Sequence, residues 1–226
     1  MFHSLQPLAM LLPLLLWSCA LVPGKFVSTL QIDADRSFAF TYQGEVHAVD
    51  LPTGMAGLRN MTPAKEAKDA AKAAEARAQA QRKWGALAAA LSKEAGYRSV
   101  EHLGEGRFRI DYAARGTLNH PFLFPFSGDA EVVLPFVAIE LRGRDRVRVK
   151  APGFAADTSG RGVPDMGSVG SKLDGSFTLT TTAEIISQNS EDGASESGTS
   201  RTISWRATPA TKDAPLAMLR VAPLNP

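Results

Sequence analysis

Three stretches share one pattern: DADRSFAFTYQGEV (33–46), LGEGRFRIDYAARG (103–116) and KLDGSFTLTTTAEI (172–185). Each opens on a tight polar turn, reaches an aromatic residue and then alternates: Phe38, Phe40, Tyr42; Phe108, Ile110, Tyr112; Phe177, Leu179, Thr181. Turn residues followed by period-two alternation mark the outgoing strand of a β-hairpin. The interleaved Arg107, Arg109 and Asp111 give such a strand one wet face and one dry face. The three are too unevenly spaced for a solenoid, so hairpin physics explains them better than a repeat.

Working outward, strands are expected at 25–33, 37–49, 106–118, 131–141, 146–151, 175–187, 200–208 and 216–222. Their short connections imply mainly antiparallel pairing. The expected dry layer is Phe26, Leu30, Phe38, Phe40, Tyr42, Phe108, Ile110, Tyr112, Phe177, Leu179, Ile203 and Trp205. The fold class is therefore α+β: a mainly antiparallel sheet, a hairpin meander, interrupted by one long Ala-rich helix.

That helix is residues 62–95. Thr62 can cap it, Pro63 suits its first position, and Glu66 and Asp69 suit its positive end. Fourteen alanines lie among good helix formers, and Gly96 supplies a stop. The large apolar residues Trp84, Leu87 and Leu91 cluster at helical spacing near the C-terminal end. That third is expected to dock on the sheet while the rest projects. Seven basic and four acidic residues give 62–95 a charge of +3, which reads as a solvated face. Two loops stand apart. Residues 151–174 are rich in Gly and Pro, with Phe154, Val163, Met166 and Val169 to pack it, and form a candidate lid. Residues 188–199 are polar and read as flexible.

The chain has 226 residues, a net charge of +2, 21% charged and 44% apolar residues. This composition excludes a wholly disordered chain, a collagen-like repeat and a polytopic membrane protein. One cysteine, Cys19, excludes an internal disulfide and a Cys-based zinc cluster. His47, His102 and His120 stand apart from one another and read as surface or turn residues; no metal constellation forms and no cofactor is called for. There is no Gly-x-Ser-x-Gly elbow, and the glycines of 160–170 lead into no phosphate-cradling helix. Asp33-x-Asp35-x-Ser37 begins like a calcium loop, but Phe38 stands at the required glycine and Gly44 at the closing Glu. A hairpin turn explains it better.

Residues 5–22 read LQPLAMLLPLLLWSCALV. The apolar run Leu8–Trp17 is too short to span a bilayer of about 30 Å, and has the length of a signal-peptide core. It closes on Leu16-Trp17-Ser18-Cys19: an aliphatic residue, a tolerant position, a small residue, then cysteine. This resembles the lipobox of bacterial lipoproteins. The resemblance implies a signal peptide over 1–18, a single mature domain over 19–226, and diacylglycerol on the Cys19 thiol. Trp17 is bulkier than the usual occupant, and Met1–Pro7 contain no Lys or Arg. Ala20 after the cysteine, by the sorting habit of enteric lipoproteins, implies the periplasmic face of the outer membrane.

Both ends of the mature chain resemble LppM-type bacterial lipoproteins: PGKFVSTLQIDADRSFAFTYQGE at the start, EIISQNSEDGASESGTSRTISWRATP at the end. That resemblance implies a strand pair after the lipidated cysteine, and an Asn-containing loop leading to a strand with a central Trp, here Asn189 and Trp205. It brings no catalytic residues.

One charged feature remains: Arg142, Arg144, Arg146, Arg148 and Lys150, with the last three on one face of an outgoing strand. It reads either as a solvated or charge-protected sheet face, or as a cation surface for anionic lipid head groups or acidic envelope polymers. Export directs it away from nucleic acid. Three functions are carried forward. The first is a non-catalytic envelope lipoprotein, held in the membrane at Cys19, that engages an envelope protein or anionic lipid. The second is a hydrophobe-binding module with 151–174 as lid. The third is a hydrolase built on scattered carboxylates.

Overall fold

The computed structural model describes residues 19–50, 68–125, 135–156 and 172–224. The signal segment, the helix start at 62–67, strand residues 131–134 and loop positions Val163, Met166 and Val169 lie outside them.

Two sheets face each other. The larger runs from β1 (Cys19–Ile32) and β2 (Ser37–Asp50) to β3 (Tyr97–Gly104) and β4 (Arg107–Thr117) on one side. On the other side lie β8 (Asp174–Thr181), β10 (Ala194–Ser197) and β11 (Ser200–Ala207), giving the order β10-β11-β8-β1-β2-β4-β3. The smaller contains β5 (Phe122–Phe124), β6 (Val137–Arg142), β7 (Arg146–Lys150), β9 (Glu184–Gln188) and β12 (Leu216–Arg220), in the order β5-β6-β7-β12-β9. The expected α+β class with mainly sheet holds.

Period-two alternation works as read. Phe26, Leu30, Phe40, Tyr42, Phe108, Ile110, Phe177, Leu179 and Ile203 are buried, and Phe38, Tyr112 and Trp205 pack half-buried against them. Their rings meet rings from the smaller sheet. Phe40 lies 5.1 Å from Phe124 and Tyr42 lies 5.8 Å from Phe136. Phe154, in a short 3-10 turn after β7, stacks on Phe26 at 4.2 Å and touches Phe177 at 5.5 Å. Aromatic side chains fill this layer and bring both sheets into one core.

Three readings are corrected. The expected strand 175–187 is two strands in different sheets. Thr181 Oγ1 donates to the Ile32 carbonyl and accepts from the Ala183 amide at 3.0 Å, so the chain turns away there. The pairing is mainly antiparallel as expected, with β1 and β8 the one parallel pair among the described strands. β3 and the short β5 occupy segments where no strand is expected, and the polar stretch 188–199 contains the edge strand β10. The helix α1 (Lys68–Leu91) ends before 95; Gly96, at φ +93°, shapes the turn into β3, where a Cβ would meet the Tyr112 ring.

The helix docks by its C-terminal part. Trp84 and Leu91 are buried, Ala80, Leu87 and Ala88 are half-buried, and Trp84 stands edge-on to Phe108 at 6.3 Å. Glu75, Arg77 and Gln79 are exposed, as a projecting half requires.

At the opposite end from Cys19, Arg36 ties the sheets together. It is buried, sits at φ +76° in the β1–β2 turn, and donates to the carbonyls of Leu118 (2.8 Å), Ala222 (2.6 Å) and Arg144. Those carbonyls belong to the end of β4, the tail after β12 and the β6–β7 turn. Burial lowers the guanidinium pKa, with Asp145 opposing. The turn itself is closed by Asp33 and by Asp35, whose side chain accepts from the Ser37 amide at 2.9 Å. Arg36→Ala strands three carbonyls at once and is expected to cost about 3–5 kcal/mol in chemical denaturation. Arg36→Lys, with no fork to reach all three, is expected to recover less than half of that loss. Full recovery by lysine would contradict the clamp.

Candidate functional site

β1 and β2 pair regularly except at one point. Pro23 lies opposite Val46 and Phe26 opposite Gly44, so Gly24 and Lys25 both face Glu45. This is a β-bulge, a device that re-aims side chains and bends the strand. Pro23 is tolerated because β8 begins pairing only at Lys25, and among the described residues no strand pairs with β1 beside Pro23 on that side.

The bulge opens a hollow of about 450 Å³. Lys25 comes from β1, Glu45 and His47 from β2, Arg107 from the start of β4, and Lys172 and Asp174 from the approach to β8. His47 is buried, contrary to its reading as a surface residue. Its ring lies over Gly24, where an added Cβ would come within 2.8 Å of Nε2. Burial lowers the His47 pKa; Lys172 and Arg107 push the same way and Glu45 opposes them. Among the described residues, the side chains of Lys25, Arg107 and Lys172 have no ion-pair or hydrogen-bonding partner, whereas Asp174 is paired with Arg206.

The basic hairpin is arranged differently. Arg146, Arg148 and Lys150 share the outer face of β7, as expected, but Glu140 on β6 accepts from Arg142 and Arg148 and pairs with Lys150 at 3.2 Å. Asp145 lies 3.7 Å from Arg146 and 4.0 Å from Arg220. Arg144 donates to the Leu224 carbonyl at 2.9 Å. Each cation is engaged within the protein. The turn between β6 and β7 also meets the β1–β2 turn through Arg36, and the tail after β12 bridges the two, the Val221 amide donating to the Asp145 carbonyl and the Ala222 amide to the Ala34 carbonyl. It therefore lies at the far end of β1, about 40 Å from Cys19 by strand rise.

Asn189 and Trp205 do come together. The Asn189 side chain accepts from the Trp205 indole N–H (3.1 Å) and the Leu216 amide (2.8 Å), and donates to the Ala214 carbonyl (2.9 Å). It thus links β11 of one sheet to β12 of the other. Beside it is a surface cleft of about 480 Å³ holding Trp205, Arg206, Lys212 and the carboxylates Glu191, Asp192 and Asp213. His120 is exposed against Asn119 and His102 packs on Phe108, so the three histidines form no cluster. Among the described residues no group of His, Cys, Asp and Glu is placed to hold a metal ion, and no helix is long and apolar enough to cross a membrane. Cys19 is the first residue of β1, paired opposite Asp50.

No protein-family model matches the chain, and no curated protein matches it. Among solved structures it is similar to the folded domain of the LppM protein of Mycobacterium tuberculosis, at 13% identity over 89% of this chain and 91% of that one, with a TM-score of 0.32. No functional residue is carried over from it.

The His47 environment makes stability depend on pH. With its folded pKa below the ordinary 6.5, the unfolded chain takes up the proton first, so stability falls as pH drops below about 6.5 and levels off below the folded value. Urea midpoints between pH 7 and 5 are expected to fall less for His47→Gln than for the parent. Equal slopes would contradict the buried, neutral imidazole.

Proposed function

We propose that this chain is a bacterial envelope lipoprotein, acylated at Cys19, whose β-domain sits on the membrane and binds an anionic envelope component without catalysing a reaction. The single observation that carries this is the junction at Cys19. The lipobox-like Leu16-Trp17-Ser18-Cys19 leads straight into β1, the strand hydrogen-bonded to both β2 and β8. No linker separates the acylated residue from the sheet, so the lipid would hold the domain by a central strand.

The aromatic layer supports a binding surface over a hydrophobe-binding cup: Phe26, Phe154, Phe177, Tyr42 and Phe136 occupy the space that a cup between the sheets would need. Unpaired cations around the bulge support an anionic partner. Ala20 after the cysteine favours the periplasmic face of the outer membrane.

Two or three acyl chains anchor a domain stably where one gives only marginal attachment. Cells expressing the full chain and fed an alkyne fatty acid are expected to label it, with the protein in the membrane fraction. Cys19→Ala is expected to lose the label entirely and accumulate as unprocessed precursor. Equal labelling of parent and mutant would contradict the proposal.

A further inference from the structure

The bulge hollow has the chemistry of a built anion site. Its three free cations arrive from three separated segments, β1, the start of β4 and the approach to β8, and converge only through the fold. Several arginines on solvated faces elsewhere on this molecule have carboxylate partners: Arg98 with Asp111, Arg109 with Glu101, Arg201 with Glu196. Among the described residues the side chains of Lys25, Arg107 and Lys172 have none, although the fold brings all three to one hollow. Lys25, Arg107 and Lys172 against Glu45 leave an excess of +2, because Asp174 and Arg206 cancel each other.

We infer that the hollow formed by Lys25, His47, Arg107 and Lys172 binds a phosphate dianion, carried either as the monoester of a lipid head group or as free phosphate. A phosphate monoester carries about −1.5 to −2 near neutral pH and presents three acceptor oxygens, matching both the excess charge and the number of free cations. A monocarboxylate would leave one positive charge uncompensated. The Arg107 fork suits bidentate contact with phosphate, and the two ammonium groups supply further charged hydrogen bonds. His47, held neutral by burial and its cationic neighbours, adds a hydrogen bond and no charge. Gly24 is part of the site, since any side chain there would push the ring out of place. Glu45, which also lines the hollow, opposes the anion and offsets one of the three cations.

The hollow lies six residues along β1 from Cys19, about 20 Å by strand rise, in the half of the strand nearer that residue. The inference goes beyond the anchor reading, since phosphate would bind here even without acylation, so the two can fail separately.

The test uses the full chain in uncharged detergent micelles at constant ionic strength. Inorganic phosphate is titrated in while the ring nitrogens of His47 are followed by NMR. The expected result is a saturable shift at His47 and none at His120. Lys25→Gln/Arg107→Gln/Lys172→Gln is expected to weaken binding about tenfold or more, the scale of one lost charged hydrogen bond. Arg146→Gln/Arg148→Gln on the distal hairpin is expected to leave binding unchanged. Should the triple variant fail to fold, Arg107→Gln and Lys172→Gln singly must each weaken it. Phosphatidylcholine vesicles with and without phosphatidate are then added. Displacement by phosphatidate alone assigns a lipid head group, and its absence assigns free phosphate; either upholds the site. No saturation at His47, or equal affinity in parent and cation variants, overturns it.

Discussion

The pairing of β1 on both edges is the constraint on which the rest of the molecule depends. Residues Lys25–Ile32 are hydrogen-bonded in parallel to β8, and the same strand pairs antiparallel with β2 from Cys19 onward. A one-residue slip would turn Phe26, Ser28, Leu30 and Ile32 out of the core and bring Val27, Thr29 and Gln31 into it. The strand therefore has one register, and the extra residue at Gly24–Lys25 has to be absorbed as a bulge. From β1 the order follows outward: β8 carries β11 and β10, β2 carries β4 and β3, and Phe26 seats Phe154 to bring the smaller sheet on top. Arg36 then closes the far end, where β4, the β6–β7 turn and the C-terminal tail meet.

Much of this fold is legible in the sequence because half-buried strands write their inner face at every second position. The segments around Phe40, Phe108 and Phe177 are therefore read correctly. What escapes is what alternation does not encode. β10 is exposed along its whole length, so Ala-Ser-Glu-Ser reads as loop, and only pairing with β11 makes it a strand. β3 lies at the sheet edge beneath the helix and shows no regular alternation in burial. The turn at Thr182 is hidden because alternation runs unbroken through Thr181 and Ala183 into β9. Parallel pairing of β1 with β8 is equally unreadable, since periodicity names faces and not neighbours.

The candidate site is less legible for a related reason. Lys25, Arg107 and Lys172 each look like a solvated residue in their own segment, and no spacing connects them. The one available signal is Pro23-Gly24 inside an otherwise extended apolar stretch, the kind of pair that marks a bulge. The hairpin of Arg142 to Lys150, by contrast, is conspicuous in the sequence, but Glu140, which pairs three of its cations, lies just outside the run. Arg36 looks like an ordinary turn residue; only its left-handed backbone, at φ +76°, turns the guanidinium inward.

With the proposed acylation at Cys19, the molecule is polar along β1: the anchor and the unpaired cations lie toward one end, the Arg36 clamp and the self-neutralised hairpin turn at the other. Spin labels placed one at a time at Lys172 and at Gly143, on acylated protein in lipid vesicles, measure this most directly through power saturation with a lipid-soluble and a water-soluble relaxant. The account predicts that the label at 172 reports the head-group region while the label at 143 reports bulk water. A label at 143 closer to the bilayer than the label at 172 would contradict it.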